Sequence, residues 1–324
     1  MAARRLTSGG WMRLATIASV LTAATMVAMK TVAFFLTGST ALLGSLLDSI
    51  LDMTASVVNL FAVRYSLTDA DEEHRFGHGK AESLGALAQA ALIAGSAVFL
   101  AWESVAQFAA PEPVTATDIG IIVIAISIVL TLGLVMFQKF VVARSNSVAI
   151  SADLLHYSGD LAMNAGVILA LVLSGMFDLH IADPVIGLLI ALWLLRGAVK
   201  IAFSSFDQLM DRELPEDERT RIQAAALAID DVRAVHDLRT RQSGLSVFVQ
   251  VHVELDGDMS LYRAHVIADM VEMEIQQIHP GAEVFVHLDP AGAEDLEKVD
   301  DRVTYAEITS APDPADDDSN NAIA

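Results

Sequence analysis

The chain has 324 residues, 54% of them hydrophobic, and its mean hydropathy is +0.50. Soluble globular domains seldom reach this average, so the composition favours a membrane protein. The net charge of −21, with no basic patch, argues against nucleic-acid binding. The absence of cysteine excludes disulfides, thiolate zinc sites and Cys-ligated iron–sulfur clusters.

Six apolar stretches are each long enough to cross a bilayer, which takes about 20 helical residues. They are Trp11–Thr37, Thr40–Leu67, Lys80–Phe108, Thr115–Val142, Ser147–Phe177 and Ala182–Phe203. Short connections predict an antiparallel helical bundle over residues 11–209, preceded by a cytoplasmic segment at 1–10. The first stretch is too long for the apolar core of a signal peptide, so we expect a retained helix.

Basic residues lie on alternate connections and predict the orientation of the bundle. They are Arg4, Arg5, Arg13, Arg64, Arg75, Lys80, Lys139, Arg144, Arg196, Lys200 and Arg212. Because cytoplasmic loops carry the excess of Lys and Arg, both termini are expected in the cytoplasm. Lys30 lies inside the first span, and we expect its side chain to extend towards the membrane surface.

After Leu209 the pattern becomes that of a small cytoplasmic α+β domain over residues 210–290. Its predicted helices and strands follow the order αββαβ: Pro215–Ile229, Val232–Arg241, Ser246–Leu255, Ser260–Ile278 and Ala282–Leu288. Residues 291–324 contain ten acidic residues and few large apolar ones, so we predict a disordered acidic tail.

Two membrane spans each carry a pair of metal-ligating side chains four residues apart. Asp48 and Asp52 lie in the second span, and His156 and Asp160 in the fifth. The spacing places each pair on one helix face, and a rise of about 1.5 Å per residue brings both pairs near the bilayer midplane. Four oxygen and nitrogen donors match a tetrahedral divalent cation such as Zn²⁺. The alternative is that the four residues are polar side chains at helix interfaces. Asp153, which also lies in the fifth span, is expected to be solvated or to cap a helix rather than to bind metal.

The residues resemble those of the cation diffusion facilitator family, and in particular its bacterial zinc and iron efflux pumps. The resemblance rests on the two paired motifs, on the stretch from Asp71 to Ser83 and on the stretch from His236 to Gly244, and it covers about residues 11–290. It implies a homodimer in the bacterial inner membrane that exports divalent metal against protons. It also implies that the cytoplasmic domain is ferredoxin-like.

Two further groups of histidines are candidate metal sites. Asp71, His74 and His78 share the connection between the second and third spans, where the resemblance implies an interfacial metal site and the alternative is a polar loop. His236 and His252 come from adjacent predicted strands. The resemblance implies that these two histidines, together with His265, His287 and Asp289, form a binuclear metal site at the dimer interface. In that site Asp289 would bridge the two ions. His180 and His279 are expected at the surface.

The resulting hypothesis is a metal/proton antiporter that works by alternating access. Only neutral imidazole ligates metal, so metal and proton compete for His156. Zn²⁺ is the leading ion, with Fe²⁺, Cd²⁺, Co²⁺ and Mn²⁺ as alternatives. A metal sensor or scaffold, a membrane redox subunit and an uptake transporter are the competing functions. Lys80 and Asp211 are expected either to form an ion pair that holds two protomers together or to extend independently to the membrane surface.

Overall fold

The computed structural model describes residues 7–38, 40–109, 118–177, 179 and 181–291. Part of the predicted N-terminal segment, His180 and the predicted tail beyond residue 291 lie outside this range. One compact unit combines the chain up to Glu213 with Arg241–Val247, and the other combines Leu214–Thr240 with the chain from Phe248 onward. The predicted domain boundaries at residues 10, 209 and 290 stay predictions.

The first unit contains six long helices, as the apolar stretches predict. They are α1 (Ser8–Thr37), α2 (Thr40–Ser66), α3 (Lys80–Ala109), α4 (Asp118–Ser145), α5 (Val148–Phe177) and α6 (Ala182–Leu209). Within the described residues, all six are long and apolar enough to cross a membrane. Helix α6 runs six residues past its predicted end at Phe203, because Ser204, Ser205 and Asp207 continue the helix without an apolar pattern.

Large apolar side chains cover the outer surface of the bundle. Phe35, Trp102 and Met136 are each at least 64% exposed, which suits contact with lipid rather than water. Between the helices, small residues allow close approach: a Cβ on Gly85 of α3 would lie 2.6 Å from the Cβ of Ala62 on α2. The α2–α3 interface therefore depends on the missing side chain at Gly85.

Two carboxylates are buried inside the bundle and hydrogen-bonded there. Asp153 is fully buried and accepts bonds from Ser19 Oγ at 2.5 Å, Gln138 Nε2 at 2.7 Å and Gln89 Nε2 at 3.0 Å. The expectation that Asp153 is solvated or caps is therefore wrong. Its three donors come from α1, α3 and α4, and no local pattern around Asp153 reveals them.

Glu82 of α3 performs the capping role at the start of α5. Its Oε1 accepts from Ser147 Oγ at 2.5 Å and from the backbone N–H of Ala149 at 3.4 Å. The first N–H groups of a helix have no partner within the helix, so this carboxylate satisfies one of them. Glu82 thereby fixes where α5 begins and, with it, the height of the residues that follow.

The chain after Leu214 forms a three-stranded sheet with two helices. Its elements are α7 (Glu216–Leu227), β1 (Ala234–Ser243), β2 (Ser246–Leu255), α8 (Leu261–Ile278) and β3 (Glu283–Pro290), in the sheet order β1-β2-β3. This confirms the predicted αββαβ order. Strands β2 and β3 are parallel and are connected through α8, with His252 opposite His287 and Glu254 opposite Asp289.

Alternation along β2 gives the sheet two different faces. Val249, Val251 and Val253 are buried, as is Val271 of α8, while His252 points to the opposite face of β2 and is only partly buried. Because side chains alternate between faces, the register that buries the valines also places His252, Glu254 and Asp289 together on the opposite face.

Lys80 and Asp211 form an ion pair within one chain. Lys80 Nζ lies 3.0 Å from Asp211 Oδ2, and Arg241 Nη1 lies 3.3 Å from Asp211 Oδ1. The structure thus places this ion pair between the start of α3 and the segment after α6 of the same chain, and its role in holding two protomers together stays a prediction. Desolvation raises the pKa of Asp211, but hydrogen bonds and charges from Lys80 and then Arg241 outweigh it and hold the pKa below its ordinary range.

This ion pair predicts a pH-dependent stability difference. A depressed pKa contributes stability above the unfolded pKa of about 3.9, and that stability is lost as the pH falls through the lower folded pKa. Asp211→Asn is expected to reduce the free energy of unfolding of the detergent-solubilised protein at pH 7 by at most about 1 kcal/mol, because the pair is exposed, and to lower its thermal midpoint accordingly. The difference in thermal midpoint between the native protein and this variant should shrink below about pH 4.

The control is Asp230→Asn, which removes an exposed acid elsewhere in the chain. It should leave the midpoint unchanged over the same pH range. A difference between the native protein and the Asp211→Asn variant that stays constant down to about pH 3, or an equal effect of both variants, contradicts the role of the ion pair.

Candidate metal centres

The intramembrane pairs bring three metal-ligating groups together between α2 and α5. His156 Nε2 lies 3.2 Å from Asp52 Oδ1 and 3.8 Å from Asp160 Oδ2. One ligand atom from each residue falls within 4.8 Å of the others. Their side chains are 19–28% exposed. In the described part of the chain, His156 Nε2 is buried without a hydrogen bond of good geometry, as expected of a nitrogen directed at an ion.

Asp48, the fourth predicted member, lies outside this compact group. It is one turn before Asp52 on the same face of α2, and its side chain is exposed. In this conformation the compact group therefore consists of Asp52, His156 and Asp160 without Asp48. Its role as a ligand stays a prediction.

Lys30 does not extend to the membrane surface, and that expectation is wrong. Its Nζ donates to Ser49 Oγ at 2.7 Å and to the backbone O of Ser45 at 3.1 Å, both on α2. From this position its charge interacts with Asp52, Asp160 and Asp48. A cation held beside three carboxylates offsets part of their charge, because an unpaired carboxylate in a bilayer costs a few kcal/mol.

Asp71, His74 and His78 form a second group at the connection between α2 and α3. Asp71 Oδ2 lies 3.3 Å from His78 Nε2, and Asp71 Oδ1 lies 3.4 Å from His74 Nδ1. The His78 side chain is only 3% exposed and packs against the ring of Tyr65, with 4.5 Å between centroids. In a solvated polar loop the histidine would be exposed. The buried His78, which faces a carboxylate and a second imidazole, therefore favours the metal site over the polar loop.

The loop backbone prepares Asp71 to bind a cation. The backbone N–H of His74 donates to Asp71 Oδ1 at 2.6 Å and that of Glu73 at 3.0 Å. The bond from His74, above all, lowers the pKa of Asp71, with the Glu73 bond and the nearby histidines acting in the same direction. The carboxylate therefore stays charged, and available to an ion, to a lower pH than an ordinary aspartate does.

The third group lies on the helix-free face of the sheet. Asp289 Oδ2 lies 2.9 Å from His252 Nδ1 and 3.5 Å from His236 Nε2, while Asp289 Oδ1 lies 3.3 Å from His287 Nε2. The two oxygens of Asp289 thus face different imidazoles, the arrangement needed for a carboxylate that bridges two ions. His265 lies apart on α8, where its exposed ring is 3.7 Å from Asp269.

Comparison with known proteins identifies the family. The family described as "Cation efflux transmembrane domain" matches residues 16–210, and "Cation efflux protein, cytoplasmic domain" matches residues 214–291. The chain belongs to the cation efflux family. This membership confirms the resemblance to cation diffusion facilitators and makes the chain a transporter rather than an enzyme.

Individual members of the cation efflux family align along most of the chain. The cation-efflux pump FieF of Cronobacter sakazakii is 45% identical over 85% of this chain and 92% of its own length. FieF of Shewanella oneidensis is 45% identical over 88% of this chain and 96% of its own length. A solved structure of CzrB in its zinc form is 34% identical and covers 26% of this chain and 96% of that chain, with a TM-score of 0.24.

Two acidic residues of this cation efflux protein lie near the sheet group but are not among the metal ligands predicted from the sequence. Glu254 Oε1 lies 3.7 Å from His236 Nε2, and Asp237 Oδ2 lies 3.7 Å from His252 Nε2. Glu254 has a sequence signal, since it lies two residues after His252 and therefore on the same strand face. Asp237 has none, because it reaches the group through a positive φ of 44° that interrupts the alternation of β1.

The sheet group predicts that Asp289 dominates metal binding by the cytoplasmic domain. Asp289→Ala in the full-length protein should weaken zinc binding to this group by about 10- to 100-fold, because a carboxylate that faces three imidazoles is lost. Calorimetric zinc titration measures the change. Asp258→Ala, a turn residue away from the histidines, is the matched control.

Equal zinc affinities in the Asp289 and Asp258 variants would contradict this assignment. The same titration with His265→Ala tests whether His265 is a ligand, as the family resemblance implies.

Proposed function

We propose that the chain exports divalent metal, with Zn²⁺ as the main cargo, in exchange for protons. The observation that carries the proposal is the group of Asp52, His156 and Asp160 inside the membrane bundle, where the buried His156 Nε2 faces one oxygen of each carboxylate. Imidazole and carboxylate together suit Zn²⁺ without a preference from d electrons. Fe²⁺, Cd²⁺, Co²⁺ and Mn²⁺ accept the same ligand types and are the alternative cargoes.

Proton exchange follows from the chemistry of the ligand set. An ion that binds His156 must displace the proton from that nitrogen, and a proton that returns weakens the hold on the ion. If the group faces one side of the membrane and then the other, this competition couples metal movement to the proton gradient. Asp48, one turn before Asp52 on α2, is proposed as the fourth ligand.

We further propose that the protein is a homodimer in the bacterial inner membrane with both termini in the cytoplasm. The basic residues of alternate connections support this orientation. The helix-free face of the cytoplasmic sheet supports the dimer, because it exposes Phe285 beside the histidine group. Metal bound to that face and to the Asp71 loop would then stabilise the association of the cytoplasmic domains and bias the conformation of the bundle.

A metal sensor or scaffold is the alternative function. It accounts for the loop and sheet groups, whose ligands lie outside the membrane helices. It does not account for carboxylates placed in the middle of apolar helices, which are costly unless an ion or a proton relay uses them.

Zinc flux into proteoliposomes under an imposed pH gradient tests the proposal. The native protein should accumulate zinc when the gradient is applied, and Asp52→Ala should abolish this flux because it removes the carboxylate 3.2 Å from His156. Ser66→Ala, at the end of the same helix, is the control. Zinc binding without gradient-driven flux in the native protein would reject the antiporter and favour the sensor.

A further inference from the structure

A groove of about 300 Å³ runs between α2, α3 and α5 and ends at the intramembrane metal group. Its walls include Asp52 and His156 at one end and Asn59, Gly85 and Gln89 further along. Asn59 lies two helical turns beyond Asp52 on the same face of α2. It is about 10 Å from the helix end at Ser66, and Gln89 is about 13 Å from the start of α3 at Lys80. Both amides therefore lie between the Asp71 loop end of the bundle and the metal group.

Both amides are buried, and both have an unused oxygen. Asn59 is 2% exposed and Gln89 is 5% exposed. In the described part of the chain, Asn59 Oδ1 and Gln89 Oε1 accept no hydrogen bond. Buried carbonyl oxygens are almost always paired, because an unpaired one loses its hydration without compensation. Two such oxygens along one groove indicate a polar occupant, a water molecule or a cation.

Neighbouring residues fix the direction of both oxygens. Gln89 Nε2 donates to Asp153 Oδ1 at 3.0 Å, so the amide nitrogen faces Asp153 and the amide oxygen faces away from it. Asn59 Nδ2 donates weakly to the backbone O of Ala149 at 3.5 Å. Its Oδ1 lies 4.0 Å from the position that a Cβ on Gly85 would occupy, so the missing side chain leaves room beside the oxygen.

We propose that Asn59 Oδ1 and Gln89 Oε1 form a transit site for a partly hydrated divalent cation on its way to Asp52 and His156. Neutral amide oxygens bind Zn²⁺ and similar ions more weakly than carboxylate and imidazole do. Weak binding is what a transit site requires, since an ion must enter it and leave it again. Asp153 is then a positioning residue, because it turns the Gln89 oxygen into the groove. This inference rests on the proposed transport through the Asp52 group.

The test is the metal concentration dependence of zinc flux into proteoliposomes containing the full-length protein. Asn59→Leu and Gln89→Leu should each raise KM by about 3- to 10-fold, the effect of losing one oxygen contact. The maximal flux and the equilibrium affinity of the Asp52 group should stay close to native. Asn59→Asp separates oxygen donation from packing, because it keeps an oxygen but loses the N–H donor to Ala149. It should keep KM at or below the native value.

Gln138→Leu is the matched control. Gln138 donates to the same Asp153 carboxylate and has an unpaired Oε1 among the described residues, but it does not line the groove. It should lower thermal stability without changing KM. Native KM in both leucine variants would overturn the transit site, as would equal KM increases for Asn59→Asp and Asn59→Leu. Absence of gradient-driven flux in the native protein would instead reject the proposed function itself.

Discussion

The cost of charge inside an apolar bundle determines much of this structure. Ionised side chains at membrane depth are stable only when hydrogen bonds, opposite charges or an ion compensate them. The bundle uses two kinds of compensation. Asp153 and Glu82 each accept two or more hydrogen bonds from neighbouring segments, whereas Asp52 and Asp160 face His156 and Lys30 without a complete set of hydrogen bonds.

This difference separates structural carboxylates from the candidate transport group. The bonds of Asp153 join α1, α3 and α4 to α5, one turn before His156, and Glu82 holds the first turn of the same helix. Helix α5 therefore has fixed partners near the end that leads to its metal ligands. The group of Asp52, His156 and Asp160 follows this anchored segment of α5. It can accept an ion or a proton because its own hydrogen bonds are few.

The sequence is most informative where a property repeats within one helix or strand. Spacing of four residues predicts that Asp52, His156 and Asp160 meet, and alternation along β2 accounts for the common face of His252 and Glu254. The bounds of the membrane helices follow approximately from their apolar length. Helix α1 begins three residues before its apolar stretch, and α4 and α6 end three and six residues after theirs, because polar residues continue these helices past the apolar pattern.

Contacts that join distant segments are outside the reach of such patterns. The donors to Asp153 lie 64 and 134 residues away at Gln89 and Ser19, and the bond from Lys30 crosses to α2. The position of His265 on an exposed part of α8 likewise depends on how the helix packs on the sheet, which its own periodicity only partly specifies. Asp48 depends on the rotation of α2, which a spacing of four residues leaves undetermined.

The central claim is that His156 and its two carboxylates exchange protons for a metal ion. Proton release on zinc binding in weakly buffered detergent solution tests it most directly, by comparing the native protein with His156→Gln, since the loop and sheet groups are identical in both. The account predicts that the native protein binds one more zinc ion and releases more protons than the variant. Equal zinc stoichiometry and equal proton release in the two proteins would contradict it.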